Sequence, residues 1–216
     1  MADNYLEKRF EEVFGSGRKP SGRHFPKKDY QSLDTLLHKN RSHRSFDPER
    51  VPSEEELRKI VEVNTFIPSA MNQQVLRFRT VSDPVEAGTV LSNIKMGGAL
   101  PELHLPVPGT EPPSYIIVMS SKEENKFVDI DLGISLQSMA LRAVDLGYNA
   151  LMVCSFNPDK LKEDLHLPYR PLAVLCIGKG KDSIFLMPCD EGDSLKYYRK
   201  EGVHYVPKIK LEDLLV

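Results

Sequence analysis

Residues 129–146 read DIDLGISLQSMALRAVDL and carry the clearest structural signal in the chain. Apolar side chains recur on almost every side of the helix that this stretch would form, and Gly147 stands where that helix would end. A helix that is apolar nearly all round is buried on most sides, either at the centre of a fold or against a second subunit. The stretch therefore predicts a central helix around which the other elements are arranged.

Shorter patterns predict further helices and a few strands. A helix is expected at about residues 30–39, a second begins at Ser53 with Glu56 in the capping-box position, and a third follows the N-cap Asn157. Residues 83–95 predict a weaker helix. Apolar or alternating runs predict strands at residues 75–81, 115–119, 150–156 and 171–178. Three or four strands interleaved with helices indicate a mixed α/β or α+β layered domain.

Composition limits the class of protein. The chain has 216 residues, of which 40% are apolar and 28% charged, as is ordinary for a globular protein with one substantial core. A formal charge of -2 gives no general argument for a nucleic-acid partner. No apolar run approaches the roughly 20 residues of a membrane span, and the N-terminus is charged where a signal peptide would be apolar. We therefore expect a cytoplasmic protein without membrane or nucleic-acid partners.

The chain divides by composition near residue 30. Residues 1–30 predict a short amphipathic helix followed by an extended arm rich in Gly, Pro and basic side chains, and residues 31–216 predict a single domain. The cysteines are odd in number and lack CxxC spacing, which indicates reduced thiols rather than disulfides or zinc ligands.

Several familiar sites are missing from the sequence. No GxGxxG follows a strand, no GxxxxGK[ST] occurs, and no serine-hydrolase motif is present. The six histidines are scattered without the spacing of metal ligands, so no metal site is predicted. Residues 178–181, GKGK, lack the spacing and hydroxyl of a phosphate loop, and we interpret them as a turn.

Three separated segments nevertheless collect hydrogen-bond donors suited to an anion. The first is residues 40–46, NRSHRSF, whose arginine forks match phosphate oxygens. Lys208 and Lys210 form the second, because alternate residues of an extended chain point the same way. The polar turn at residues 69–74 is the third. Taken singly, each fits a plainer interpretation: an exposed basic loop, a solvated tail and a helix exit.

Taken together and in order, these segments resemble the FMN-dependent nitroreductase family. The resemblance runs from about residue 31 to the C-terminus through NRSHRSFDPERVPSEEELRKI, PSAMNQQVLRF, the long helix with the segment after it, PLAVLCIGKG and HYVPKIKLEDLLV. The family signature Arg-Arg-Ser-x-Arg-x-Phe falls on Asn40, Arg41, Ser42, Arg44 and Phe46. The chain departs from the family at Asn40, at Val75-Leu76, where Pro-Trp is common, and at Cys154-Ser155, where Glu-Gly or two glycines are common.

The resemblance implies a three-layer α/β/α sandwich of the α+β class with a mixed, mainly antiparallel central sheet. It also implies a homodimer with two FMN sites at the interface, each built from both chains. The resemblance implies that the phosphate and ribityl chain are bound by Arg41, Ser42, Lys208 and Lys210, and the pyrimidine edge by Arg44. It implies that the second chain contributes Pro68, Ser69, Ala70 and Asn72 to the ring. The other side of the ring would be lined by the backbone of residues 152–155, including Val153, Cys154 and Ser155.

The activity implied by the resemblance is transfer of hydride and electrons from NADH or NADPH, through FMN, to a nitroaromatic, quinone or related acceptor in a ping-pong cycle. FMN carries the chemistry, so no catalytic side chain is predicted. His43 and Cys154 are expected to pack rather than to react. Two alternatives stay open: a specialised flavin enzyme of the same fold that removes halogens or cleaves flavin, and a protein that binds FMN without catalysis.

Overall fold

The computed structural model describes residues 31–98 and 101–216, so the predicted N-terminal helix and arm lie outside the described residues. The division of the chain at residue 30 stays a prediction. The helices are α1 Leu33–Lys39, α2 Glu54–Glu62, α3 Pro84–Asn93, α4 Lys126–Asp145, α5 Pro158–Asp164 and α6 Leu211–Leu214. The strands are β1 Phe46–Asp47, β2 Leu76–Val81, β3 Ser114–Ser120, β4 Asn149–Val153, β5 Arg170–Gly180, β6 Ser183–Cys189, β7 Tyr198–Lys200 and β8 Val203–Ile209. Short 3₁₀ turns occupy Val63–Thr65, Ala70–Asn72 and Pro101–Leu103.

Strand β5 is the middle of the central five-stranded sheet. It pairs with β3 along one edge and with β4 and β1 along the other, and β2 lies outside β3. All of these strand pairs are antiparallel, with Ile117 opposite Val174 and Leu151 opposite Cys176. A parallel bridge joins Ser42 to Ala150 beside β4. The register brings the segment before β1 against the strand that leads to Cys154 and Ser155.

Two apolar cores cover the two faces of this sheet. On one face, Leu57 and Ile60 of α2 and Met139 of α4 pack against β3 and β5. On the other, Val90 of α3 and Leu161 of α5 pack with Phe46 and the opposite side chains of the same strands. Full burial of each such side chain stabilises the fold by roughly 1.5–3 kcal/mol. The predicted α+β, three-layer fold with mainly antiparallel strands is confirmed.

Helix α4 matches the predicted central helix. It begins after the N-cap Asn125, whose side-chain oxygen accepts hydrogen bonds from two first-turn N–H groups, and its core face includes Leu136, Met139 and Ala140. Phe127 and Ile130 near its start stay about half exposed. It is the longest helix of the described residues, and neither it nor any other helix there is long and apolar enough to cross a membrane.

The C-terminal part of the chain departs most from the predictions. Residues 183–209, for which no strand was predicted, form a second sheet in which β8 lies between β6, parallel to it, and β7, antiparallel to it. The turn predicted at residues 178–181 is also wrong, because β5 continues to Gly180, which pairs with Phe46. Backbone pairing with a distant segment outweighs the local tendency of two glycines to form a turn.

Candidate functional site

Residues 40–46, which we call the signature loop, begin where α1 ends. The guanidinium of Arg41 folds back onto that end, because its Nε donates to the carbonyl of His38 at 2.9 Å and its Nη2 donates to Leu37 O. A cation at a helix C-terminus is favoured by the helix dipole and satisfies carbonyls that have no partner within the helix. Within the described residues these bonds leave Nη1 of Arg41 available to a ligand.

The signature loop next crosses the edge of β4. Ser42 forms the bridge to Ala150, whose carbonyl accepts the His43 N–H at 3.4 Å, and the Ser42 side chain stays exposed. Val153, three residues farther along, is buried at the end of β4, and the exposed Cys154 follows it. The structure thus brings one predicted group of site residues, at Ser42, alongside the strand that leads to the other, at Val153 to Ser155.

Beyond β4, Ser155 and Phe156 are bonded to the residues that follow α3. The carbonyl of Ser155 accepts the Lys95 N–H at 2.9 Å, and Ile94 bridges to Phe156. A depression of about 520 Å³ lies against this segment and is lined by Ser155, Phe156 and Lys160 among others. The backbone at the end of the predicted ring-facing segment is therefore held in place by the residues that follow α3.

Arg44 lies half-buried between the signature loop and the second sheet. Its Nη1 donates to Ser42 O at 3.2 Å, its Nη2 donates to the Tyr197 hydroxyl at 3.3 Å, and its central carbon lies 5.1 Å from the Tyr197 ring centroid. A guanidinium over a tyrosine face gains cation–π attraction. Tyr197 thus orients the arginine predicted at the pyrimidine edge, a role that no local pattern in the sequence indicated.

Asp182 supports the same loop from below. Its Oδ2 accepts the backbone N–H groups of Arg44 at 2.6 Å and Ser45 at 3.0 Å, and its Oδ1 pairs with Arg199. Burial alone would raise the pKa of the Asp182 carboxyl, but the two N–H groups and Arg199 together hold the pKa below its usual value. The carboxylate is therefore charged at neutral pH.

His43 and His204 complete this cluster, which we call the Asp182 junction. The two residues are 8% and 3% exposed, and burial lowers the pKa of each histidine. The nearby Asp182 acts in the opposite direction, but burial and the positive charges of Arg44 and Arg199 prevail. Both imidazoles are thus kept neutral near pH 7. Among the described residues, four buried nitrogens of the junction have no hydrogen-bond partner: Nδ1 of His43 and His204, and Nε of Arg44 and Arg199.

The polar turn at residues 68–74 is held from helix α4. The buried carboxylate of Asp131 accepts the Ser69 hydroxyl and the Ala70 N–H, each at 2.8 Å, and Ser69 Oγ in turn accepts the Gln74 N–H at 3.0 Å. Three residues of the turn, Met71, Asn72 and Gln74, have positive φ angles, and Pro68 precedes them. Residues other than glycine disfavour positive φ angles, and these hydrogen bonds offset the energetic cost of that backbone conformation.

The turn faces a separate part of the surface. A groove of about 820 Å³ borders it and is lined by Ser69, Gln74, Phe78 and Asp131 together with α2 side chains. Within residues 31–98 and 101–216, no hydrogen bond or ion pair joins residues 68–74 to the signature loop. Within the described part of one chain, hydrogen bonds therefore join the signature loop to β4 but do not join it to the turn.

The two C-terminal lysines differ in their surroundings. Lys208 is exposed near the end of β8, and Lys210 ion-pairs with Asp190 through its Nζ at 2.6 Å. That hydrogen bond and charge raise the pKa of Lys210. An anion bound by both lysines would have to compete with Asp190 for Lys210.

The donors present fit an anionic, planar cofactor. Arg41 retains free guanidinium donors, Ser42 and Lys208 are exposed, and the buried Nε of Arg44 is unpaired in the described part of the chain. The sequence did not indicate Asp182, Tyr197 or Arg199. Asp131 did leave a signal, because it is a carboxylate within a helix predicted to be buried on most sides.

Comparisons with known proteins identify the family and agree with the fold. A sequence profile described as the nitroreductase family matches residues 37–179. A search of curated proteins found no match. Among solved structures, a nitroreductase family protein from Clostridium novyi NT is 24% identical with a TM-score of 0.59, covering 70% of this chain and 87% of its own. A putative nitroreductase from Exiguobacterium sibiricum, solved in complex with FMN, is 19% identical with a TM-score of 0.59 over 72% of this chain and 91% of its own. An FMN-dependent nitroreductase from Clostridium difficile R20291 is 20% identical with a TM-score of 0.58 over 70% and 89%.

Proposed function

The chain belongs to the nitroreductase family, and on that premise we propose that it is an FMN-dependent oxidoreductase acting between NADH or NADPH and a small acceptor. The acceptor class is nitroaromatic, quinone or a related compound, and the cycle is ping-pong. The observation that carries the proposal is the bridge from Ser42 to Ala150, which unites a cationic loop with the strand leading to Cys154 and Ser155. A phosphate-binding loop bridged to the strand that leads to a ring-facing segment suits a cofactor with an anionic end and a flat end.

Bound FMN supplies the redox chemistry, accepting hydride from a reduced nicotinamide and returning electrons to the acceptor. The residues of this chain bind and orient it. Arg41, Ser42 and Lys208 hold the phosphate end, with Lys210 joining them when it leaves Asp190. Arg44 places a positive charge near the pyrimidine edge, where negative charge develops on reduction. The backbone of Val153, Cys154 and Ser155 lines the ring.

A second copy of the chain completes the site. In this proposal the turn with Pro68, Ser69, Ala70 and Asn72 reaches the flavin of the other protomer, so the working unit is a homodimer with two cofactor sites. The hydrogen bonds from Asp131 give the turn a fixed shape before it meets a partner. A preformed turn loses less conformational entropy on binding than a flexible one. We place this dimer in the cytoplasm.

The visible spectrum of the purified protein tests the cofactor. Flavin absorption bands are expected, either as isolated or after FMN is added, and their absence in both conditions contradicts the proposal. Consumption of NADH and NADPH is then measured with and without menadione or nitrofurazone. Sustained turnover supports the oxidoreductase; stoichiometric bleaching without turnover indicates an FMN-binding protein; reaction only with a halogenated or flavin substrate indicates a specialised enzyme.

Arg41→Ala tests the phosphate contact. Loss of a charge-assisted hydrogen bond costs roughly 1.5–3 kcal/mol, so FMN is expected to dissociate at least about tenfold more readily. Fluorescence titration with FMN measures the change. Arg170→Ala is a matched control, because that guanidinium is also bonded to the protein, through Asp159 at 2.6 Å, on a surface away from the signature loop. Equal FMN affinity in both variants contradicts the assignment of Arg41.

A further inference from the structure

The carboxylate of Asp182 joins the backbone of the signature loop to the second sheet. It stands in the turn between β5 and β6, and its side chain is only 3% exposed. One oxygen accepts both consecutive N–H groups of Arg44 and Ser45, at 2.6 and 3.0 Å. Two adjacent N–H groups that converge on one buried oxygen define the direction of the backbone between them.

The other oxygen of Asp182 bonds to a residue of the second sheet. It pairs with Arg199 of β7, and the residue two positions before Arg199 is Tyr197, the aromatic that receives the Arg44 guanidinium. The Tyr197 ring lies 5.0 Å from the His204 ring of β8. Arg44 is thus held at both ends: Asp182 holds its backbone, and Tyr197 holds its side chain.

A second contact shows how closely the loop lies on this part of the chain. A Cβ atom added at Gly180 would stand 2.2 Å from Nδ1 of His43, far inside any normal contact. Lys181 also donates its N–H to Ser45 O at 2.9 Å. The segment from Gly180 to Asp182 therefore packs directly against the signature loop.

We propose that Asp182 is a positioning residue for the cofactor site: it fixes the backbone at Arg44 and Ser45, and with it the direction in which the Arg44 guanidinium is presented to the flavin. The inference rests on the proposed function. A carboxylate is needed because one oxygen must accept two N–H groups while the other accepts from a cation. An amide in its place turns an NH₂ group towards Arg199, so two donors face each other. Either the segment from Gly180 to Asp182 or the signature loop then has to move.

Asp182→Asn is compared with Asp159→Asn, which makes the same change in a carboxylate that pairs with Arg170 but is 81% exposed. In the full-length protein, FMN affinity of Asp182→Asn is expected to fall about tenfold or more, and that of Asp159→Asn to stay within about twofold. The midpoint potential of bound FMN is expected to become more negative only in Asp182→Asn, because a displaced Arg44 stabilises the reduced flavin less. In apo protein, amide hydrogen exchange at Arg44 and Ser45 is expected to speed up by about tenfold or more.

Gly180→Ala gives an independent arm if Asp182→Asn does not fold. The added methyl group is expected to displace His43 and weaken FMN binding, and His43→Ala in the same chain is expected to restore part of the affinity by removing the ring. Normal FMN affinity, normal potential and unchanged exchange in Asp182→Asn overturn the inference, as does normal affinity in Gly180→Ala. Failure of the unaltered protein to bind FMN contradicts the proposed function instead, while exchange at Arg44 and Ser45 still reports whether Asp182 holds the loop.

Discussion

Two loops of this protein are each held by one buried aspartate, and the two anchors are built differently. Asp182 holds the signature loop with two backbone N–H groups on one oxygen and a guanidinium on the other. Asp131 holds the turn at residues 68–74 with one hydroxyl and one backbone N–H. Within the described part of the chain, Asp131 has no ion-pair partner.

The two carboxylates differ in whether their hydrogen-bond partners would also accept an amide in the same place. The Ser69 hydroxyl can reverse its role and accept a hydrogen bond, so an amide at position 131 still finds partners on both sides. The guanidinium of Arg199 and the N–H groups at Arg44 and Ser45 can only donate. The charge of Asp182 is therefore required by its surroundings, whereas Asp131 is required mainly for its acceptor geometry.

The largest effect is expected from removing the Asp182 carboxylate. Asp182→Ala leaves two backbone N–H groups and the Arg199 guanidinium without their acceptor, and loss of one member of a buried ion pair costs about 3–5 kcal/mol. Urea denaturation of the apo protein measures the free energy of unfolding, with Asp159→Ala as the exposed control. A loss below about 1 kcal/mol would place Asp182 in the class of surface ion pairs and remove its role as an anchor.

A smaller effect is expected from lowering the pH. Burial lowers the pKa of His43 and His204 in the folded protein. Below about pH 6.5 the unfolded chain therefore binds more protons at these histidines than the folded chain does, and the free energy of unfolding falls as the pH falls. Thermal unfolding between pH 7.5 and about 5 measures this loss. His43→Asn with His204→Asn is expected to flatten the profile. A profile that keeps its slope in the double variant assigns the proton uptake elsewhere.

Asp182 adds a second, more acidic window to the same profile. Its folded-state pKa lies below the ordinary 3.8, so its contribution is complete above about pH 4 and is lost as the pH falls through the lowered value. Acid unfolding of Asp182→Asn is therefore expected to be less steep in this range than that of the unaltered protein.

The smallest effect is expected at the other anchor. Asp131→Asn is expected to cost about 1 kcal/mol or less, because Ala70 and Ser69 keep hydrogen-bond partners at position 131. Asp131→Ala leaves the Ala70 N–H and the Ser69 O–H without an acceptor and is expected to cost about 2–3 kcal/mol. Urea denaturation of the two variants measures the ratio. Equal costs for the asparagine and alanine variants would show that Asp131 acts through its charge, and the contrast with Asp182 would disappear.

Elements with local signals were predictable from the sequence. The capping box at Ser53 and Glu56 and the Asn157-Pro158 start each place a helix at its observed N-terminus, because capping involves residues within one turn. The apolar pattern of 129–146 placed α4 within a few residues, since burial on several sides needs apolar side chains on several sides. The three-layer α+β fold implied by the family resemblance is also confirmed.

Features that depend on distant pairing were not predictable. The strands β6 and β8 pair in parallel across about twenty residues, and β8 lacks the uninterrupted apolar run of a strand in a central sheet. Asp182 lies 138 and 137 residues along the chain from the two N–H groups that it accepts. Gly180 is required by the His43 ring rather than by a turn, a reason that only the folded contact reveals. The predicted roles of the site residues toward FMN stay predictions.

The most direct test of the central claim is a crystal structure of the full-length protein grown with FMN. The account predicts flavin density with its phosphate against Arg41 and Ser42, its ring beside residues 153–155, and the 68–74 turn of a second copy facing that ring. Flavin bound away from the signature loop, or a site completed by one chain alone, would contradict it.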